Sequence, residues 1–306
     1  MFCARLFVPF TLGEGTFAWQ NKQKCAFCFV LCSLIRTFAA MKQAMILAAG
    51  LGTRLKPLTD TMPKALVPVG ETPLLDINIQ RLQSFGYDRF VVNVHHFAQQ
   101  IIDYVRERDY APLVHFSDES ELLLETGGGL KKAQGLFRDD EPILIHNVDI
   151  LDNVDYKWFG RQHQADEDAV LLVSRRKTKR YLLFDNAMRL MGWMNTDTGE
   201  VKSPFPWLRE SDFTIDDNLQ VVASANSQWP VAKSCLYAFA FSGIHSFSPR
   251  LFPLMDRFPD RFAIIDFYLS VCHRARIVGL FKPDLQVLDV GKLDSLSEAE
   301  KFLAQQ

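Results

Sequence analysis

The stretch MILAAGLGTRLKPLTDTMPKALVPVG, from Met45 to Gly70, opens as a short apolar run and passes straight into a turn that carries Gly50, Gly52 and Arg54, with Lys64 ten residues further on. An apolar run bounded by glycine fits a strand buried on both faces. In open α/β sheets the ligand crevice lies beyond the carboxyl ends of the strands, so the turn after this strand is where chemistry is expected. Glycines there admit backbone conformations closed to other residues, and successive amides in such a turn form a concavity for anions. Arg54 and Lys64 add two cations that can converge on a polyphosphate. The dinucleotide fingerprint is excluded, because Leu55 stands where its third glycine or alanine is needed, and no run of the Walker type occurs.

Outward from this stretch the signals alternate. LLDINIQRLQSFG has Leu75, Ile79 and Leu82 at helical spacing and stops at Gly86, and RFVVNVHH reads as a strand. FAQQIIDYVRERD then reads as a helix, LVHF as a strand, ETGGGLKKAQGLF as a glycine-led helix with Thr126 at its cap, and EPILIHNVD as a strand ending at Asp149. Repeated β-α-β calls for a mostly parallel sheet with helices on both faces. Beyond Asp149 the rhythm loosens. DYKWFGRQHQ is helical, DAVLLVSRR a strand, and residues 181–227 are rich in turns and short strands. CLYAFAFSGIHSF, AIIDFYLSVCHRA, RIVGLF and LQVLDVG follow as strand, helix, strand and strand, with a closing helix from Asp294. The expectation is an α/β fold over residues 41–306 in one domain, with a nucleotide-binding half at 41–150 and a sugar-binding half at 151–306.

The whole chain of 306 residues is 48% hydrophobic and 23% charged, enough for a substantial core. Its formal net charge of -2, without an extended basic run, argues against a nucleic-acid partner. Cys3, Cys25, Cys28 and Cys32 precede Met41, and only Cys235 and Cys272 follow it. So sparse a usage in the main body fits a reducing compartment, and a cytoplasmic protein is expected. Within the first forty residues, CAFCFVLCSLI imitates the apolar region of a secretory signal but is too short to span a bilayer. Three clustered cysteines fall short of the four ligands of a structural zinc site. Residues 1–40 are read as an extension from an upstream start, with translation beginning at Met41 or Met45; a genuine signal segment is the alternative.

LAAGLGTRLKPLTDTMPKALVPVGETPLL resembles the signature of the sugar-1-phosphate nucleotidyltransferases, G-x-G-T-R followed by P-K-x-[LM]-x-P-[VI], and ETGGGLKKA, HNVDI, FSGIHSFSP and LDVG continue the likeness in the family's order. The resemblance implies the nucleotide-diphospho-sugar transferase fold and the joining of a nucleoside triphosphate, UTP or GTP being favoured, to a sugar-1-phosphate with Mg²⁺. It implies nucleotide contacts from Leu47, Ala48, Ala49, Gly50, Gly52, Thr53, Arg54, Lys64, Thr126, Gly127 and Gly128. It further implies metal ligation by Asp149 and Asp289, catalytic roles for Arg54, Lys64 and both aspartates, and sugar contacts from Asn147, Gly192 and Asp266. Asp152 and Asp155 are read as loop and cap residues, and His95 and His96 as closing their strand. Many relatives carry an E-K-P motif for the sugar phosphate, and this chain has GWMN near Gly192 instead. A non-catalytic nucleotide-sugar-binding subunit and a cytidylyltransferase acting on a phosphoalcohol stay open.

Overall fold

The apolar run after Lys42 forms β1, Gln43–Leu47, and its alternation assigns the two faces of the sheet. Ala44 and Ile46 enter one buried cluster and Met45 the other, as the period of two in a strand requires. The computed structural model describes residues 43–223 and 235–305. The readings of residues 1–40, of Met41 as a start, and of the end of the 181–227 segment lie outside them.

β1 sits between β2 (Arg89–Val94) and β4 (Ile143–Asn147), parallel to both, and β3 (Val114–Asp118) extends the parallel block beyond β2. Further along are β6 (Ala169–Ser174), β7 (Arg180–Phe184), β8 (Leu190–Asn195), the long β9 (Leu236–Phe247) and β10 (Ile277–Phe281). β9 is antiparallel to β4, β6 and β7, and β10 is parallel to β6. Thus β1, β2, β3, β4, β6 and β10 run one way, and β9 opposes them. A register shift between Phe241 and His245 bends β9 at Gly243, whose φ is 80°.

Helices cover both faces. α1 (Leu74–Ser84), α2 (Ala98–Arg106), α4 (Tyr156–Gln162) and the closing α6 (Ser295–Leu303) pack into the cluster around Ile46 and Val92. α3 (Glu125–Lys132) and α5 (Ile264–Val271) pack into the cluster around Met45 and Ile145. Among the described residues no helix is long and apolar enough to cross a membrane.

Three local expectations are corrected. Asp149 does not end β4, which stops at Asn147, but lies in a turn before the short β5 (Ile150–Asp152). Thr126 is not the cap of α3: it stands inside the first turn and its Oγ1 accepts from the amide of Ile264 at 2.9 Å, tying α3 to the start of α5. β2 stops at Val94, so His95 and His96 lie past it. His95 Nδ1 meets the carbonyl oxygen of Glu119 at 2.7 Å, and the His96 ring packs on Phe97.

Candidate active site

The turn after β1 is built around Gly52. Its φ of 64° suits glycine, and a Cβ there would stand 2.8 Å from Thr59 Cγ2 and 3.1 Å from Lys64 Cβ. Thr59 Oγ1 donates to the Gly52 carbonyl at 2.8 Å, so the glycine turn and the base of Lys64 pack as one unit. Pro63 is extended and delivers Lys64 at the start of a single 3₁₀ turn, Lys64–Leu66. Gly50, Leu51, Thr53 and Arg54 are exposed along the outer rim.

The two aspartates, 140 positions apart in sequence, are brought together by a pairing outside the main sheet. β11 (Val287–Asp289) lies antiparallel to β5, with Asp289 opposite Ile150. The amide of Val290 donates to the carbonyl oxygen of Asp149 at 2.8 Å. The strand read in LQVLDVG thus belongs to this two-stranded ribbon and not to the central sheet, and Asp289 ends it there. Each carboxylate already has a cation. Lys64 Nζ donates to Asp149 Oδ2, their side chains being 12% and 15% exposed. Arg54 Nη1 stands 3.6 Å from Asp289 Oδ2, with both side chains about half exposed. A Cβ on Gly291 would fall 2.5 Å from Asp289 Oδ1 and against the Arg54 guanidinium, so the glycine leaves room for that second pair. Arg54, Lys64, Asp149 and Asp289 therefore form two ion pairs of unequal burial, whose aspartates lie on segments joined by the bond from Val290 to Asp149.

Other predicted residues are placed differently. Leu47 lies within β1, and the Ala48 amide donates to Asn93 Oδ1 at 2.7 Å, which commits it inside the protein. The amides of Gly127 and Gly128 both donate to the Phe262 carbonyl, and a Cβ on either would overlap residues 260–262. A Cβ on Gly129 would fall 2.6 Å from Glu119 Oε1. Packing of α3 on its neighbours thus gives each of the three glycines a structural reason to lack a side chain. Asn147, at the end of β4, faces Gly243, where a Cβ would come within 2.8 Å of its Nδ2. Gly192 admits Leu208 and the Lys202 carbonyl against β8. Asp266 on α5 pairs with Lys202 at 3.0 Å, and that ammonium lies 5.3 Å from the Trp193 ring.

Two buried networks escaped the sequence reading. Asn93 Nδ2 donates to Glu119 Oε1 at 2.8 Å while Glu119 Oε2 accepts from the Leu124 amide, linking the turn after β1 to the approach to α3. Burial raises the Glu119 carboxyl above its usual range, against the pull of those two bonds. Asp152, read as a loop residue, ends β5 fully buried and accepts from Tyr156 at 2.7 Å and the Val154 amide at 2.8 Å, with His146 Nε2 at 3.1 Å. Burial alone would raise its carboxyl; the bond and charge of His146, with Arg81 and Tyr156, bring it below the ordinary value. The signal was a polar residue within an apolar strand, Asn93 in VVNV and His146 in ILIHN. Asp155 caps α4 as read, accepting from the Lys157 and Trp158 amides.

A glycine turn, two cations and two carboxylates, one in a turn and one at a strand end, now come from neighbouring segments of the fold. Residues 43–182 match the nucleotidyl transferase family model. Over 113 residues the chain is 45% identical to the N-acetylmuramate alpha-1-phosphate uridylyltransferase of Caulobacter vibrioides, the match covering 36% of this chain and 46% of that protein. Over 144 residues it is 31% identical to the mannose-1-phosphate guanyltransferase of Aspergillus oryzae, covering 45% and 39%. The chain spans about half the length, or less, of the curated relatives it matches. Among solved structures, UDP-glucose pyrophosphorylase complexed with UDP-glucose superposes with a TM-score of 0.61 at 15% identity, over 87% of this chain and 99% of that one. That likeness establishes a shared nucleotide-diphospho-sugar transferase fold.

Proposed function

We propose that this chain is a sugar-1-phosphate nucleotidyltransferase, joining a nucleoside triphosphate to a sugar-1-phosphate with release of pyrophosphate. The observation that carries the reading is the pairing of β5 with β11, which sets Asp149 beside Asp289 and opposes each with a cation. Such a cluster suits a polyphosphate and its counterion. The triphosphate would take Arg54 and Lys64, and the carboxylates released would take a divalent cation.

Asp149 and Asp289 offer hard oxygen donors, one shielded and one open to solvent, which fits Mg²⁺ held by one or two carboxylates together with substrate phosphates and water. When bound, Mg²⁺ supplies charge neutralisation on the phosphates. The chain's own residues do the rest. The turn Ala49–Thr53 wraps the triphosphate, Lys64 faces the charge that grows as the α-phosphorus is attacked, and Arg54 holds the departing pyrophosphate. A sugar-1-phosphate oxygen forms the new bond to the α-phosphorus while the bond from that phosphorus to the bridging oxygen of pyrophosphate breaks. The nucleophile is already anionic at neutral pH, so no protein base is needed and catalysis is alignment and charge stabilisation.

The similarity to uridylyl- and guanylyltransferases favours UTP or GTP. Pyrophosphate release should be measured with Mg²⁺ across UTP, GTP, dTTP, CTP and ATP against the 1-phosphates of N-acetylmuramate, mannose and glucose. Release with one pair supports the reading and names the substrates. Silence across the matrix, with nucleotide-sugars still bound by the folded protein, overturns it in favour of a non-catalytic binding subunit.

A further inference from the structure

Asp149 stands in a turn of two residues, Val148 and Asp149, so its aim depends on what holds that turn. Two backbone bonds do so, one to the end of β1 and one from the residue after β11. The Val148 amide donates to the Leu47 carbonyl at 3.2 Å, and the Asp149 carbonyl accepts from Val290 at 2.8 Å. A third bond comes from a side chain: Asn78 Nδ2 donates to the Val148 carbonyl oxygen at 2.9 Å.

Asn78 is an unexpected residue at its position. It lies mid-way along α1, 3% exposed, among the buried Leu74, Leu75, Ile79 and Leu82. Asparagine is a mediocre helix former there, and burying its amide costs free energy unless the amide is fully paired. The same Nδ2 also donates to the Leu74 carbonyl at 2.8 Å, so both amide hydrogens point at carbonyl oxygens. Turning the amide over would set its own oxygen against those two carbonyls, so only one orientation serves. The bond to Leu74 is local and would satisfy half the amide in any helix. The bond to Val148 spans 70 positions and ends on the peptide unit that also contains the Asp149 nitrogen. Because that unit is planar, fixing its oxygen fixes the direction in which Asp149 leaves it.

We propose that Asn78 is a positioning residue for Asp149: by holding the Val148 carbonyl it sets the aim of the carboxylate toward the metal and Lys64. The inference rests on the reading that Asp149 serves the metal and nucleotide site. Outer-shell partners of this kind alter metal affinity or activity by roughly 10–100-fold when removed.

The test uses the full chain with Asn78→Leu, which keeps the bulk, and Asn78→Ala, which admits water. Leu82→Ala on the same helix reports plain destabilisation, and Asp149→Asn reports the site itself. Mn²⁺ affinity is measured by electron paramagnetic resonance with UTP or GTP present and no sugar phosphate, followed by kcat and KM. Both Asn78 variants should bind Mn²⁺ at least tenfold more weakly and lose kcat by a similar factor, with KM for the sugar phosphate within threefold of the parent. Leu82→Ala should lower Tm at least as far while leaving Mn²⁺ affinity unchanged. Asn78 variants within twofold of the parent, beside an inactive Asp149→Asn, overturn the positioning role alone, as does a Leu82→Ala variant that loses as much Mn²⁺ affinity. An Asp149→Asn variant with parental metal-dependent turnover overturns the site reading and this role together.

Discussion

Replacing Lys64 by Met should make the nucleotide-free protein bind a divalent cation more tightly while nearly abolishing turnover. Lys64 is hydrogen-bonded to Asp149 and both side chains are largely covered, so the ammonium competes directly with a metal for that carboxylate. Two unit charges 4 Å apart at an effective dielectric near 20 attract by about 4 kcal/mol. Part of that returns as relaxation and water entry, and a net gain of about 1.4 kcal/mol in metal binding already corresponds to tenfold. The same substitution leaves Asp149 partly buried without its counterion, which destabilises the metal-free protein; at this length each 1 kcal/mol lost lowers Tm by roughly 2–4 °C. Titration calorimetry with MnCl₂ should therefore show at least tenfold tighter binding to Lys64→Met, and scanning fluorimetry should show a lower Tm that MnCl₂ raises further than in the parent. Turnover should fall by about 10²–10³, as when one donor to a developing charge is lost. Equal or weaker Mn²⁺ binding in the variant would refute the competition between Lys64 and the metal.

Arg54→Met should behave differently, because its pair with Asp289 is half exposed and such pairs contribute about 0–1 kcal/mol. Its Tm should stay near the parent's while KM for the nucleotide rises, which steady-state kinetics will show. Asp149→Asn and Asp289→Asn should each keep the circular dichroism of the parent and lose metal-dependent pyrophosphate release. Gly128→Ala should lower stability by about 1–3 kcal/mol or more in urea unfolding, since the new methyl overlaps the Asp260 carbonyl. Gly135→Ala, whose methyl meets nothing within 4 Å, should be neutral or slightly stabilising in the same assay. His245 is fully buried beside Tyr268, with no hydrogen-bond partner for either ring nitrogen among the described residues. Burial, with a smaller contribution from His146, pulls its pKa down to about 3, so the folded state holds it neutral. The unfolded chain then binds the extra proton as pH falls below about 6.5, and stability declines through that window toward pH 3. His245→Phe should remove about 1.7 kcal/mol of the stability loss between pH 6.5 and 5, read from urea midpoints at the two pH values.

The sequence by itself determined the local chemistry of this protein. Strand β1, its glycine turn and the cations at Arg54 and Lys64 all lie within one short stretch, where hydrophobic period and turn residues act over neighbouring positions. The order of helices and strands was legible for the same reason, down to the Asp155 cap of α4. Tertiary structure alone decided which distant groups meet. The ribbon of β5 and β11 that seats Asp289 beside Asp149 pairs a strand legible in LQVLDVG with a three-residue segment too short to carry a pattern of its own. Whether a glycine serves a ligand or a neighbouring chain segment is likewise absent from composition. At Gly127 and Gly128 the answer is the loop carrying Phe262, and at Gly52 it is Thr59 and Lys64. Asn78 and Asn93 gave the faintest signal, a polar side chain among apolar ones. Their partners, the Val148 carbonyl and Glu119, are fixed by how α1 and β3 dock onto the sheet, which depends on packing over the whole core and not on the residues beside them.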